Sequence, residues 1–205
     1  RAKLDAMAHV ANETTPYRLE FRASPIIGPN AFALPSGIIV LTDELVKYAI
    51  NDQEVLGVLA HELGHVRHRH TMRQLLESSA TALIIAGVTG DVASATSLAA
   101  AAPTILLQTK YSRDYEREAD IYAIDMMGKA GYNPGHLAAI LARISAKQPH
   151  QRGVPTFLSS HPPTEEREAL ARAGTGAAVP AVDIIQAENE KAGELLVPDK
   201  PKLVA

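Results

Sequence analysis

Two histidines four residues apart, with a glutamate directly after the first, constrain this chain more than any other stretch: His61-Glu62-Leu63-Gly64-His65. On a helix, residues i and i+4 lie on one face a turn apart, so both imidazoles can reach a single divalent ion. Glu62 points about 100° further round, where it can hold a water at the position the imidazoles leave open. The flanks fit a helix. Asn51-Asp52 before Gln53-Glu54 supplies a cap and early acids, and Val55, Leu56, Leu59, Leu63 and Val66 form an apolar stripe at three- and four-residue spacing. Gly64 is a poor helix former, so its presence predicts close packing beside the metal position. The pattern is that of a hydrolase holding one Zn²⁺ per chain.

A third protein ligand is needed, and with no cysteine in the chain it is His, Asp or Glu. The segment Tyr111-Ser112-Arg113-Asp114-Tyr115-Glu116-Arg117-Glu118-Ala119-Asp120 reads as a helix capped by Ser112 and continuing to Gly131. Glu116 and Asp120 share one face of it, whereas Glu118 points elsewhere. Spacing leaves two readings open. Either Glu116 binds the metal and Asp120 accepts the N–H of a ligand imidazole, or both belong to a solvated helix start paired with Arg113 and Arg117. His68 returns to nearly the face of His61 but a turn beyond His65, and Arg67-His68-Arg69-His70 reads as a solvated basic helix end. His9, His136 and His150 lack partner spacing and read as surface residues.

With these two motifs come Asn30-Ala31-Phe32-Ala33-Leu34-Pro35-Ser36-Gly37, Ala130-Gly-Tyr-Asn-Pro134 and Ser160-His161-Pro-Pro-Thr-Glu-Glu-Arg167. In that order the five stretches resemble the HtpX/BepA/Oma-type zinc metallopeptidases, relatives of the CAAX prenyl protease, over about residues 15 to 172. The resemblance implies a gluzincin endopeptidase of zincin type, with His61, His65 and Glu116 on Zn²⁺ and Glu62 as general base. It also implies that His161 and Arg167 lie near the active site. Chemically, an imidazole or guanidinium donor there would stabilise the oxyanion that develops on a peptide carbonyl. His161, between a loop from Gln148 to Ser160 and two prolines, could instead cap the metal and hold the enzyme inactive. Arg167, early in a helix from Thr164, could simply pair with Glu165 or Glu166.

The remaining patterning predicts an α+β, mostly helical domain over residues 1–172. Residues 1–13 read as a helix with Leu4, Met7, Ala8 and Ala11 on one side. Alternation predicts a strand from Tyr17 to Phe21 with Tyr17, Leu19 and Phe21 inward. Residues 31–34 and 37–41 read as a hairpin bent at Pro35-Ser36-Gly37, followed by a short helix from Thr42 to about Tyr48. Zincins pair extended substrate with an edge strand beside the metal helix, so the resemblance implies a substrate role for a strand Gly37–Leu41. The candidate substrate-binding residues are Asn30, Ala31, Phe32, Gly37, Ile38 and Ile39; the plain alternative is a structural hairpin.

At 205 residues and 46% hydrophobic content, the chain suffices for one packed domain. A net charge of −3 with scattered signs carries no nucleic-acid footprint. Absent cysteines exclude disulfides and suit either cytosol or periplasm. Residues 78–107 hold a single charge, Asp91, interrupted by Gly87, Gly90 and Pro103. They predict two short helices, packed on the domain or dipping into a membrane surface, rather than a span. Residues 173–205 read as a docking or disordered extension, with a possible helix over 183–196. The chain shows no signal peptide and starts at Arg1, which suggests a processed product whose targeting segment is missing. The expectation is an endopeptidase acting on polypeptides in protein quality control at a bacterial cell envelope, periplasmic or membrane-associated, with oligomeric state open. The alternatives are a catalytically silent or self-capped zinc module in an envelope assembly, and a zinc amidase or esterase.

Overall fold

Asn51 starts the central helix: its Oδ1 accepts from Glu54 N at 3.0 Å. In the computed structural model, which describes residues 1–89, 111–147 and 157–161, this helix is α3 (Asp52–Arg67), preceded by α1 (Ala2–Val10) and α2 (Asp43–Tyr48). After it come α4 (His70–Thr89), α5 (Arg113–Lys129), α6 (Gly135–Lys147) and a helical turn, α7 (Phe157–Ser160). Helix α3 packs against α5, α6, α1 and the sheet. Leu56, Val58, Leu59, Ala60 and Leu63 are buried in the core that results. Its N-terminal Glu54 reaches Ile50 N at 2.8 Å and makes a two-pronged contact with Arg143 of α6. Burial disfavours the Glu54 charge, but the Arg143 guanidinium and the Ile50 N–H outweigh it and hold the carboxyl below its ordinary range.

Glycine sets how closely the helices approach. A Cβ on Gly64 would stand 3.0 Å from Ala119 Cα and 3.2 Å from Ala119 O of α5, and one on Gly57 would meet Leu137 Cβ of α6 at 3.1 Å. Backbone atoms cannot swing aside, so Gly64→Ala is expected to destabilise the domain by about 1–3 kcal/mol through overpacking. A thermal melt of the purified variant checks this; an unchanged midpoint contradicts the close approach.

The sheet consists of β1 (Arg18–Arg22), β2 (Ala31–Ala33) and β3 (Ile38–Thr42) in the order β1-β3-β2, with β1 parallel and β2 antiparallel to β3. Gly37 turns the hairpin at φ 80°, donating to Leu34 O and accepting from Arg18 N, each at 3.0 Å. The order corrects one expectation. Gly37–Leu41 is not an edge: β3 is bonded on both sides, and β2 holds the outer position against α3. A second correction concerns β1, where Leu19 is buried but Phe21 is 45% exposed, because an outer strand buries only what reaches the core. Thr42 caps α2 by accepting from Leu45 N.

Arg69, at φ 54°, breaks the path between α3 and α4. Helix α4 then runs for 20 residues, so the start of the 78–107 stretch belongs to a helix begun at His70 rather than to a short separate one. Residues 90–107 lie outside the described residues. No described helix is long and apolar enough to cross a membrane. Residues 157–160, expected as loop, form a helical turn, and His161 N donates to Phe157 O at 2.9 Å. Residues 148–156, including His150, and 162–205, with Arg167, the 164 helix start and the extension, lie outside the described residues.

Candidate metal centre

Three elements converge on one point. Helix α3 contributes His61, Glu62 and His65, α5 contributes Glu116 and Asp120, and the turn after α7 contributes His161; all are buried. Ser112 Oγ accepts from Tyr115 N at 3.2 Å, so the helix start that carries Glu116 is fixed by its own cap. Glu116 is not part of a solvated face.

The donor atoms lie at spacings that bracket those around a tetrahedral ion. His61 Nε2 lies 3.0 Å from His65 Nε2 and 3.6 Å from Glu116 Oε2, while His65 Nε2 lies 3.5 Å from Glu116 Oε1. His161 Nδ1 stands 3.3 Å from His61 Nε2 and 2.8 Å from Glu116 Oε1. Ligands about 2.0–2.1 Å from a tetrahedral zinc are separated from one another by roughly 3.3–3.4 Å. Asp120 Oδ1 lies 2.9 Å from His61 Nδ1, so a carboxylate stands beside that nitrogen while Nε2 faces the cluster. Two nitrogens and a carboxylate converging in this way fit a divalent cation.

His161 completes the cluster. Its Nδ1 is one of the four donor atoms that gather within 4.8 Å of one another, and its Nε2 faces Glu62 Oε1 at 3.4 Å. The ring stacks on Phe157 at 4.5 Å, and Ser160 O accepts from Tyr111 N at 3.2 Å, anchoring the turn. His61, Glu62, His65 and His161 are each 0% exposed. The arrangement is therefore closed.

Sequence reasoning missed several residues around this cluster. His70, read as part of a solvated basic end, is fully buried; its Nδ1 lies 2.9 Å from His65 Nδ1 and its ring stacks on Tyr115 at 4.5 Å. Burial pushes His70 below the ordinary imidazole value although Glu118 opposes it. His68, by contrast, stays partly exposed. Tyr111 stacks on His65 at 4.1 Å. Burial, then the Glu62 carboxylate, pushes its phenol above the usual range, so it stays protonated. Its hydroxyl meets Thr71 Oγ1 at 2.7 Å, and Thr71 donates to Ala33 O at 2.9 Å. The positive-φ break at Arg69 that folds His70 and Thr71 back onto α3 has no signature in hydrophobic periodicity.

The strand geometry redistributes the candidate substrate residues. Asn30 O accepts from Thr42 N and Leu34 N donates to Ile38 O, so alternate residues, 31 and 33, turn their backbone groups away from β3. Ala33 O is taken by Thr71. Ile38 and Ile39 sit in the central strand and Gly37 bonds Leu34 and Arg18, so none of the three has a backbone free for a visiting strand. Asn30 is buried against Thr42, and Phe32 directs its backbone to β3. Ala31 turns its backbone away from β3 but is 0% exposed, so it is covered in this structure.

Residues 2–173 match the family model described as Peptidase family M48. The beta-barrel assembly-enhancing protease of Escherichia coli K12 is 29% identical over 70% of this chain and 31% of its own length. The mitochondrial metalloendopeptidase OMA1 of Saccharomyces cerevisiae is 32% identical over 70% of this chain and 42% of its own. The metalloprotease YcaL of Escherichia coli K12 is 32% identical over 67% and 55%. The chain thus spans about a third to a half of the length of these curated relatives. With a family match over residues 2–173, and relatives named as a protease, a metalloendopeptidase and a metalloprotease, the chain belongs to peptidase family M48.

Proposed function

We propose that this domain is a zinc-dependent endopeptidase of zincin architecture, with its small sheet beside the metal helix, that hydrolyses polypeptides and rests in a state capped by His161. The observation that carries the proposal is the convergence of His61, His65 and Glu116 with Glu62 alongside. Held by His61, His65 and Glu116, Zn²⁺ would supply Lewis acidity toward a water and a peptide carbonyl. Glu62 takes the proton of the attacking water and returns it to the leaving amine. β2, the outer strand of the hairpin, is the candidate to pair with extended substrate backbone once the cover over the buried Ala31 has moved. His161 must first leave the fourth corner, and Arg167 remains a proposed oxyanion donor. Action at the bacterial cell envelope is supported by the name of the Escherichia coli relative, a beta-barrel assembly-enhancing protease.

Casein cleavage tests the reading: the expected result is cleavage that a chelator stops and zinc restores. Ester or small-amide hydrolysis without casein cleavage would move the assignment to another zinc hydrolase, and no turnover in any substrate would leave a silent zinc module. The ligand set has its own check. Glu116→Ala should lose stoichiometric zinc in elemental analysis, whereas Asp120→Ala, which removes only the partner of His61 Nδ1, should lower metal affinity or activity on the order of 10–100-fold. The reverse order would misplace the third ligand.

A further inference from the structure

His65 can present an Nε2 lone pair to a metal only while its single proton sits on Nδ1. The atom facing that proton is Nδ1 of His70, 2.9 Å away, and the other nitrogen of His70 lies 3.0 Å from Glu118 Oε2. A carboxylate only accepts, so His70 carries its proton on Nε2 and offers a bare Nδ1 to His65. We infer that His70, anchored by Glu118, is a positioning residue that fixes the tautomer and ring orientation of His65. The inference rests on the proposed role of His65 as a zinc ligand.

Packing leaves His70 little freedom to do otherwise. Its ring is 0% exposed, stacked on Tyr115 at an interplanar angle of 8° and edge-on to His65 with centroids 4.9 Å apart. Helix α5 thereby does three things within five residues. Glu116 joins the donor cluster, Asp120 faces one ligand histidine directly, and Glu118, from another face of the helix, reaches the second through His70. A relay is needed only on the His65 side, because α4 starts between His65 and Glu118.

His68, His70 and Glu118 also bring donor atoms within 4.8 Å of one another, but they do not form a second cation site. The His68 and His70 rings lie nearly parallel, at 12°, so their in-plane lone pairs run side by side instead of converging. Arg73 Nη1, 3.7 Å from Glu118 Oε2, already supplies a positive charge. A cation on His70 Nε2 would moreover drive the proton to Nδ1 and on to His65 Nε2, removing the ligand.

The test is zinc affinity of the full chain by chelator competition, with Co²⁺ absorption as a second readout of ligand geometry. His70→Phe keeps the stack on Tyr115 but deletes the acceptor, and is expected to bind zinc 10–100-fold more weakly with a changed Co²⁺ spectrum. His70→Asn sets an amide oxygen where Nδ1 stands and should recover affinity to within a few-fold of the parent. Glu118→Ala, at a half-exposed position, should weaken binding by about tenfold and decides the matter if His70→Phe does not fold. Parental affinity in His70→Phe or in Glu118→Ala overturns the relay, as does a His70→Asn variant as weak as His70→Phe, or a second zinc in the parent that His70→Phe loses. Absence of zinc binding by the parent, or tight binding retained by His65→Ala, would instead overturn the ligand assignment beneath it.

Discussion

Glu62→Gln is expected to lower peptide hydrolysis by roughly 10²–10⁴-fold, the contribution typical of a positioned general base, while one zinc per chain remains bound. The substitution is nearly isosteric, which matters at a residue that is 0% exposed and faces His161 Nε2. An amide can orient a water but cannot take its proton. The three metal donors are untouched, because Glu62 points away from the face they share. Casein cleavage and elemental analysis on the same purified sample separate loss of base from loss of metal. Near-normal turnover would falsify the role of Glu62; lost zinc would make it structural.

His161→Ala is expected to raise basal proteolysis. In the proposed resting state His161 Nδ1 stands where a nucleophilic water would have to stand, and its Nε2 faces the Glu62 carboxylate. A domain whose open form is a minor state of 0.1–10% gains on the order of 10- to 1000-fold when the closing contact is deleted. The measured quantity is the initial rate of casein cleavage at equal zinc loading. Should His161 be needed as an oxyanion donor once substrate is bound, the same substitution lowers kcat by roughly 10²–10³-fold. An unchanged rate reduces His161 to packing between Phe157 and Tyr111.

What was legible in the sequence was mostly local. The Asn51, Thr42 and Ser112 caps each accept from the N–H three residues on, and cap chemistry depends on neighbours alone. The face shared by Glu116 and Asp120 followed from helical spacing, and Gly64 proved to be a point of close approach between α3 and α5. The strand order did not follow. Whether β3 lies at an edge or in the middle depends on β1 pairing parallel to it from across a long connection, and alternation in Ile38–Thr42 is silent about that. His70 was misread for a related reason. A run of Arg and His predicts solvent, and only the left-handed turn at Arg69 returns one of its imidazoles to the core. Glu118 was rightly placed off the Glu116 face, yet its partner came from a helix whose path composition does not encode.

The donors at positions 61, 65, 116 and 161 come from three separate parts of the chain, so an ion held by them acts as a staple. In the unfolded chain these groups are scattered, and bringing them together closes loops of tens of residues. Binding energy therefore enters the folding equilibrium: a ligand held only by the native state at 100 times its Kd adds about 2.7 kcal/mol, a sizeable part of the stability of a small domain. Metal supply would then govern how much of the protein survives, as well as how fast it works. Removing the ion would loosen the fold itself, so a chelator should lower the unfolding midpoint along with the activity.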